Sequence, residues 1–285
     1  MSRPHPSAFS SFDPPPEFRA PSVPMLAMLG TLLTPLLLWQ GRRMRRRMPR
    51  LPEASGPRAG KFGRGPAAVR LLIVGDSSAA GVGAETQQEA LAGQLASELA
   101  SYGHGAVSWQ LVARTGLSAR STLALMAASP LQPADVLVTV LGVKDTLEQT
   151  APDRWMHALD AIHSHARYRA GVRHTVHCAP PRLDLLPVLP QPLRWMLGAH
   201  AARLDAALRA RVHDAKRRSR LAIPFAHDLG QAHEWLASDG FHPNSVLYRR
   251  WAEALAQHID RVLLAQAPET NIVRPSGFSQ FDNMG

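Results

Sequence analysis

The sequence predicts an α/β fold in which five parallel strands form one doubly wound sheet with helices on both faces. Short apolar runs alternate along the chain with segments of helical period, as repeated β–α units do. The first run, VRLLIVG at 69–75, is almost wholly apolar, which is typical of a parallel strand buried on both faces. Hydrophobic residues make up 45% of the 285 residues, which excludes a wholly disordered chain.

The next elements continue this alternation. The segment TQQEALAGQLASELASY (86–102) predicts a helix, because its leucines recur at intervals of four on one face. AVSWQLVA (106–113) predicts the second strand. A helix over 118–128 follows, with Ser118 as its N-cap.

The central strand is predicted most clearly in ADVLVTVLG (134–142). The later elements are predicted as helix 153–168, strand VRHTVHC (172–178), helix 192–218, strand LAIPFAH (221–227) and helix 245–265. The arginines between Arg209 and Arg220 are expected to form a solvated helix face. In doubly wound folds, ligands bind beyond the carboxyl ends of the strands, so chemistry is expected in those loops.

Most of the positive charge precedes the predicted sheet. The formal net charge is +10, and the residues up to Pro66 hold 11 Lys and Arg against three acids. The rest of the chain holds 21 basic and 19 acidic residues. A nucleic-acid-binding domain would carry its basic patch on the fold itself, so nucleic acid is not the expected partner. A basic linker that binds nucleic acid without folding is the alternative.

An uncharged stretch at residues 25–40, MLAMLGTLLTPLLLWQ, predicts a hydrophobic helix that anchors the protein in a membrane. Trp39 stands at its edge, where interfacial aromatic residues occur, and the arginine run GRRMRRRMPR follows. Arginines on the C-terminal side predict that the following domain faces the cytoplasm. Because the stretch is short for a membrane span, the alternative is a helix that docks on the domain or lies along the membrane surface.

The remaining segments complete the predicted organisation. The boundaries are 1–24 for a disordered N-terminus, 41–67 for a basic Pro/Gly linker, 68–267 for the catalytic domain and 268–285 for a disordered tail. The single cysteine, Cys178, excludes an internal disulfide and a cysteine-cluster metal site. No HExxH motif accompanies the 13 histidines, so no metal ion is expected.

Two motifs place reactive side chains in loops at strand ends. GDSSAAGVGA (75–84) puts Ser77 in the first βα turn, where converging backbone amides can stabilise negative charge. SDGFHPN (238–244) sets Asp239 three residues before His242, so the carboxylate can orient the imidazole that accepts a serine proton.

These residues also allow other interpretations. Ser77 could be a helix cap beside a glycine turn, and His242 could be a surface histidine. His227 and Asp228, at the end of the fifth predicted strand, are a second candidate for the catalytic histidine and its carboxylate, although no proline follows them.

The GDSS and SDGFHPN motifs resemble the first and last blocks of the SGNH (GDSL-type) hydrolase superfamily, and the resemblance covers residues 68–266. It implies that Ser77 is the nucleophile and that Asp239 and His242 complete a catalytic triad. It also implies a three-layer α/β/α sandwich with a five-stranded, flavodoxin-like parallel sheet, and an enzyme that needs no metal or organic cofactor.

Two further segments bear on the oxyanion hole. ARTGLSAR (113–120) is similar to the second block of the superfamily, which implies that the Gly116 amide helps bind the oxyanion, together with the backbone amide of Ser77. The third block, G-x-N-D, is replaced by LGVKDT (141–146), with Lys144 at the position of the oxyanion-binding asparagine. We expect Lys144 to act as a charged donor in its place.

The resulting expectation is a serine esterase that cleaves a small acyl ester or a lipid through an acyl-enzyme. The alternative is a weakened enzyme, or an inactive module that binds lipid or glycan, because losing one oxyanion donor typically costs about 10²–10³ in turnover. The Pro- and Leu-rich residues 179–198, named the wall segment below, are expected to form a wall or lid over the site.

Overall fold

Six strands form one sheet in the computed structural model, which describes residues 23–103, 105–223 and 232–266. They are β1 (Ala59–Phe62), β2 (Ala67–Gly75), β3 (Ala106–Ala113), β4 (Val136–Val140), β5 (His174–Cys178) and β6 (Arg218–Leu221). Their order is β1-β3-β2-β4-β5-β6, and every neighbouring pair is parallel except β1 with β3. The predicted parallel sheet is confirmed, with an antiparallel edge strand added to it.

Helices cover both faces of this sheet. They are α1 (Val23–Arg47), α2 (Leu91–Ser101), α3 (Ala119–Ala127), α4 (Val143–Leu147), α5 (Pro152–Ala170), α6 (Leu193–Val212), α7 (Ala232–Trp235) and α8 (Ser245–Gln266). Successive side chains of β2 point to opposite faces, so Leu71 joins the core beneath α2 and α8. Leu72 joins the core beneath α3, α5 and α6. The result is a helix–sheet–helix arrangement in three layers.

Strand β1 corrects the prediction that residues 41–67 are a linker. It pairs with β3, and the residues before it also join the fold, since Ala54 is buried. Glu53 accepts a hydrogen bond from the Thr115 amide at 2.6 Å and pairs with Arg58. The sequence AGKF lacks an apolar run, so only the unpaired edge of β3 explains why it becomes a strand.

Helix α6 ends at Val212, earlier than the predicted end at residue 218. Strand β6 begins at Arg218, three residues before the predicted range 221–227. Arg218 and Arg220, expected on a solvated helix face, instead lie in β6 and are half-buried. Arg218 pairs with Asp160, and Arg220 pairs with Asp205. The ion pairs explain how so polar a sequence can form a strand of the sheet.

Helix α2 begins at Leu91, five residues after its predicted start, because turns occupy residues 76–90. The predicted disordered segments, residues 1–24 and 268–285, lie almost wholly outside the described residues. The second candidate for the catalytic histidine and its carboxylate, His227 with Asp228, also lies outside the described residues.

Helix α1 extends through the arginine run that was predicted to be linker. One of its faces contacts the domain: Leu37 and Met44 pack on leucines of the wall segment, and Gln40 is buried. Among the helix residues from 32 onward, whose side chains the structure describes, the large apolar side chains that are exposed are Leu32, Leu36, Leu38 and Trp39. In the part of the chain that the structure describes, no helix combines the length and apolar character needed to cross a membrane.

Candidate active site

Ser77 lies in a turn that directly follows β2 at the carboxyl edge of the sheet. Gly75, the last residue of β2, lies so close to β4 that an added Cβ atom would overlap the Val140 carbonyl oxygen. That same oxygen accepts a hydrogen bond from the Asp76 amide at 3.1 Å. The Val82 amide donates to the Ser77 carbonyl oxygen at 3.0 Å. The glycine of the motif is therefore required by the close approach of two strands, and the turn that carries Ser77 is fixed by backbone hydrogen bonds.

His242 lies in the loop before α8, and Asp239 fixes its ring. Oδ2 of Asp239 is 2.6 Å from Nδ1 of His242, and Oδ1 accepts the backbone amides of Phe241 and His242 at 2.9 and 3.0 Å. Burial alone would raise the pKa of Asp239, but these hydrogen bonds and the charge of His242 outweigh it, so that pKa is lowered. An ionised Asp239 holds the proton on Nδ1 and leaves Nε2 free to accept one.

The structure brings Ser77 and His242 together across 165 residues of sequence. Nε2 of His242 lies 3.1 Å from Oγ of Ser77. Ser77 is only 7% exposed, so this hydrogen bond is largely shielded from water. A carboxylate, an imidazole and a hydroxyl therefore stand in a continuous hydrogen-bonded chain, an arrangement that can activate the hydroxyl as a nucleophile.

Contacts other than the hydrogen bonds among Asp239, His242 and Ser77 hold the serine turn against the histidine loop. The buried Tyr248 hydroxyl on α8 donates to the Val82 carbonyl oxygen at 2.7 Å. Gly83, with a φ of +98°, lies so close to Pro243 that an added Cβ atom would overlap the Pro243 carbonyl oxygen. Asn244 Oδ1 accepts two amides in the first turn of α8, at 3.0 and 3.1 Å. The sequence did not predict the contacts of Tyr248 and Gly83, because each joins segments about 160 residues apart in the chain.

Of the three expected oxyanion donors, Gly116 and Lys144 lie on elements other than the serine turn. Gly116 is exposed in the loop between β3 and α3, with a φ of +79°. That loop is tied down where Asp145 accepts the Ala119 amide at 3.0 Å. Lys144 lies on α4, and its ammonium group pairs with Glu148 at 2.8 Å. Donation by Lys144 to an oxyanion at Ser77 would compete with this ion pair.

Two buried carboxyl groups beside the site were also missed. Oδ1 of Asp76 accepts the Ser78 amide at 3.1 Å, whereas Oδ2 has no partner among the described residues. Burial raises the pKa of Asp76 to about 7, against the opposing effects of the Ser78 amide and the His242 charge. Burial likewise raises the pKa of Asp145 to about 6. Asp76 belongs to the GDSS motif and Asp145 to LGVKDT. Neither motif indicates that the carboxyl group is buried, because burial depends on contacts with distant segments.

An apolar pocket adjoins His242. Its lining includes Val140, Cys178, Leu183, Leu186, Phe241 and Trp251, from the strand ends, the wall segment and α8. The wall segment expected from the sequence therefore borders the site, through Ala179 and Pro181 as well as the two leucines. Among the residues that the structure describes, no group of three or more His, Cys, Asp or Glu side chains could hold a metal ion.

Comparison with known proteins identifies similar sequences and structures. The model of the GDSL-like lipase/acylhydrolase family matches residues 73–250, a range that includes Ser77, Asp239 and His242. The lipase Lip_vut3 from a goat rumen metagenome is 17% identical, with a TM-score of 0.52; the similarity covers 68% of this chain and 97% of that one. This similarity supports the fold alone.

Two further solved structures are similar over 68% of this chain. Phospholipase A1 from Streptomyces albidoflavus NA297 is 18% identical, with a TM-score of 0.49 and 99% of its chain covered. The psychrotrophic esterase EstA from Pseudoalteromonas sp. is 16% identical, with a TM-score of 0.48 and 98% of its chain covered. No curated protein sequence matches the chain.

Proposed function

Because the chain belongs to the GDSL-like lipase/acylhydrolase family of ester-hydrolysing enzymes, we propose that it cleaves carboxylic esters with Ser77, His242 and Asp239. The observation that carries this assignment is the 3.1 Å separation between Oγ of Ser77 and Nε2 of His242. The ring of His242 is already oriented by Asp239, so the three side chains have the geometry that nucleophilic catalysis needs.

In the proposed reaction, Ser77 Oγ attacks the ester carbonyl carbon while Nε2 of His242 takes the hydroxyl proton. Asp239 stabilises the imidazolium that forms. His242 then returns the proton to the leaving alcohol, and the acyl group remains on Ser77. Water then loses a proton to His242 as its oxygen attacks the acyl carbon. The bond between Ser77 Oγ and the acyl group breaks, the carboxylic acid leaves, and His242 returns the proton to Ser77 Oγ.

The oxyanion of the tetrahedral intermediate is assigned to the backbone amides of Ser77 and Gly116, with Lys144 as the third donor. Hydrogen-bond donors aimed at developing charge are worth about 10²–10³ in turnover each. Lys144 is bound to Glu148 in the resting structure, so donation to the oxyanion competes with that ion pair.

Replacing Lys144 tests this assignment. We expect Lys144→Asn to preserve or raise esterase turnover, because a short amide donor needs no ion pair to break. Glu148→Gln is the matched control, since it frees the lysine and leaves its charge in place. Turnover of a soluble ester by purified protein is the measurement. A collapse of turnover in Lys144→Asn alone would mean that lysine has a different, essential role.

The proposed nucleophile is tested with a fluorophosphonate probe and a panel of p-nitrophenyl esters of increasing chain length. We expect the full chain to be labelled and to hydrolyse at least the shorter esters, and Ser77→Ala to lose both properties. The competing function is a binding module for lipid or glycan. Absence of labelling and of turnover in folded wild-type protein would favour that module.

We also propose that α1 attaches the enzyme to a membrane surface, with its ester substrate a small acyl ester or a lipid held there. The exposed Leu36 and Trp39 stand beside the exposed arginines of the same helix, a combination suited to an anionic lipid surface. Gln40 is buried against the domain, which favours a helix lying along the surface over one crossing the bilayer. The exposed arginines favour the cytoplasmic side, because anionic lipids make the surface of that leaflet negative.

A further inference from the structure

A groove separates part of α1 from the wall segment. The residues that line it include Arg43, Met44 and Arg47 on α1, Met48 directly after that helix, and Val188 and Pro190 on the wall segment. Together with its open mouth, the groove has a volume of about 940 Å³. Asp239 lines it as well, so the groove reaches the residue that orients His242.

The helix that forms one side of the groove is held in place by specific contacts. Nε2 of Gln40 donates to the Gln191 carbonyl oxygen at 2.7 Å, and its Oε1 accepts the Leu193 amide at 3.3 Å. Leu37 and Met44 pack on the leucines of the wall segment beside it. A buried amide with both ends paired defines the position of α1 along the wall segment, so the groove has a defined shape.

The charge of the groove is positive. Arg43 and Arg47 are one helical turn apart and exposed, and neither has an ion pair among the described residues. The Arg43 guanidinium lies over the Trp39 ring, 5.3 Å from its centroid. Asp239 is the one acid in the lining, and its two oxygens already accept hydrogen bonds from His242 and Phe241. An anionic group is therefore the natural partner for the two guanidinium groups.

The rest of the lining is apolar and adaptable. Met44 and Met48 have flexible thioether side chains, which suit an alkyl chain of no fixed shape. Val188 and Pro190 add apolar surface on the opposite side. Two cations beside such a surface match a molecule with one alkyl chain and one negative charge.

We propose that this groove binds a single-chain anionic amphiphile and that it selects, for the Ser77 site, esters that carry a negative charge. The first part stands on the groove alone. The second part rests on the proposed function, because it assigns a preference to the esterase.

Binding is tested with decanoate as the charged probe and decan-1-ol as the neutral one, on full-length Ser77→Ala protein, so that no turnover interferes. We expect Arg43→Gln/Arg47→Gln to weaken decanoate binding by about tenfold or more and to leave decanol binding unchanged. The control is Arg167→Gln/Arg217→Gln, which removes the same charge from exposed positions away from the groove. Equal loss in both variants, or no decanoate binding before substitution, would overturn the proposal.

Selection is tested by the kinetics of ester hydrolysis, with protein that retains Ser77. The substrates are 4-nitrophenyl decanoate and the mono-4-nitrophenyl ester of decanedioic acid, which differ in a terminal carboxylate. Arg43→Gln/Arg47→Gln is expected to raise KM about tenfold for the anionic ester, with kcat retained and the neutral ester unaffected. Equal changes for both esters would refute charge selection. Turnover that survives Ser77→Ala would refute the proposed function instead. The conclusion about decanoate binding would still stand, because that binding is measured without turnover.

Discussion

Asp76, beside the proposed nucleophile, keeps one buried carboxyl oxygen without a partner among the described residues. Burial raises its pKa to about 7 in the folded protein, from a reference of 3.8. Between those pH values the folded state keeps a proton that the unfolded chain has lost. The contribution of Asp76 to stability is therefore greatest below about pH 4, falls as the pH rises to about 7, and stays low above that.

We predict that Asp76→Asn is more stable than the wild type at pH 8, by up to about 4 kcal/mol, because the amide needs no proton to become neutral. The difference should disappear near pH 4. Urea unfolding at pH 4, 6 and 8 gives the free energies to compare. Burial lowers the pKa values of His163 and His177 to about 4 and about 3, so their contributions change in the opposite direction. The histidine contributions are the same in the variant and the wild type, so they cancel when the two free energies of unfolding are subtracted. A free-energy difference between the two proteins that did not vary with pH would contradict the prediction.

At the level of elements, β1 shows how a segment of weak local preference becomes part of a sheet. Gly60 of β1 lies against the Trp109 indole, where an added Cβ atom would come within 2.9 Å of Nε1. The strand covers the outer edge of β3, which would otherwise present unpaired backbone groups. A sequence reading of residues 59–62 could not include this partner, because β3 begins more than 40 residues later.

Two truncations measure the contribution of this edge. Proteins that begin at residue 58 and at residue 67 both lack α1 and the segment that holds Glu53 and Ala54, but only the first keeps β1. We expect the shorter protein to be less stable by about 2 kcal/mol, or roughly 4–8 °C in Tm, because it loses a strand ladder and the cover of Trp109. Thermal unfolding followed by circular dichroism is the measurement. Equal Tm values would show that β1 adds no stability.

For the molecule as a whole, the positive charge is concentrated before the sheet, where α1 also exposes apolar side chains. If α1 attaches the protein to an anionic lipid surface, each arginine near that surface contributes about 1 kcal/mol. Long-range attraction of this kind weakens as salt is added, because the Debye length shortens.

We predict that the full chain sediments with phosphatidylserine-containing vesicles at low salt and less at high salt. Arg45→Gln/Arg46→Gln should weaken this binding by about 30-fold. Arg167→Gln/Arg217→Gln, with the same change in net charge, should bind nearly as the wild type does. Equal losses in the two variants would show that net charge, and not α1, drives the binding.

By itself, the sequence determined the alternation of strands and helices and singled out Ser77, Asp239 and His242 as candidates. These features depend on residue periodicity and on short motifs, both of which are local properties of a chain. The tertiary structure alone decided that β1 joins the sheet, that α1 docks through Gln40 and that Lys144 pairs with Glu148 in the resting state. It also decided the burial that raises the pKa of Asp76. The physical reason is that pairing and burial depend on which segments, often distant in sequence, come into contact, and periodicity carries no record of those contacts.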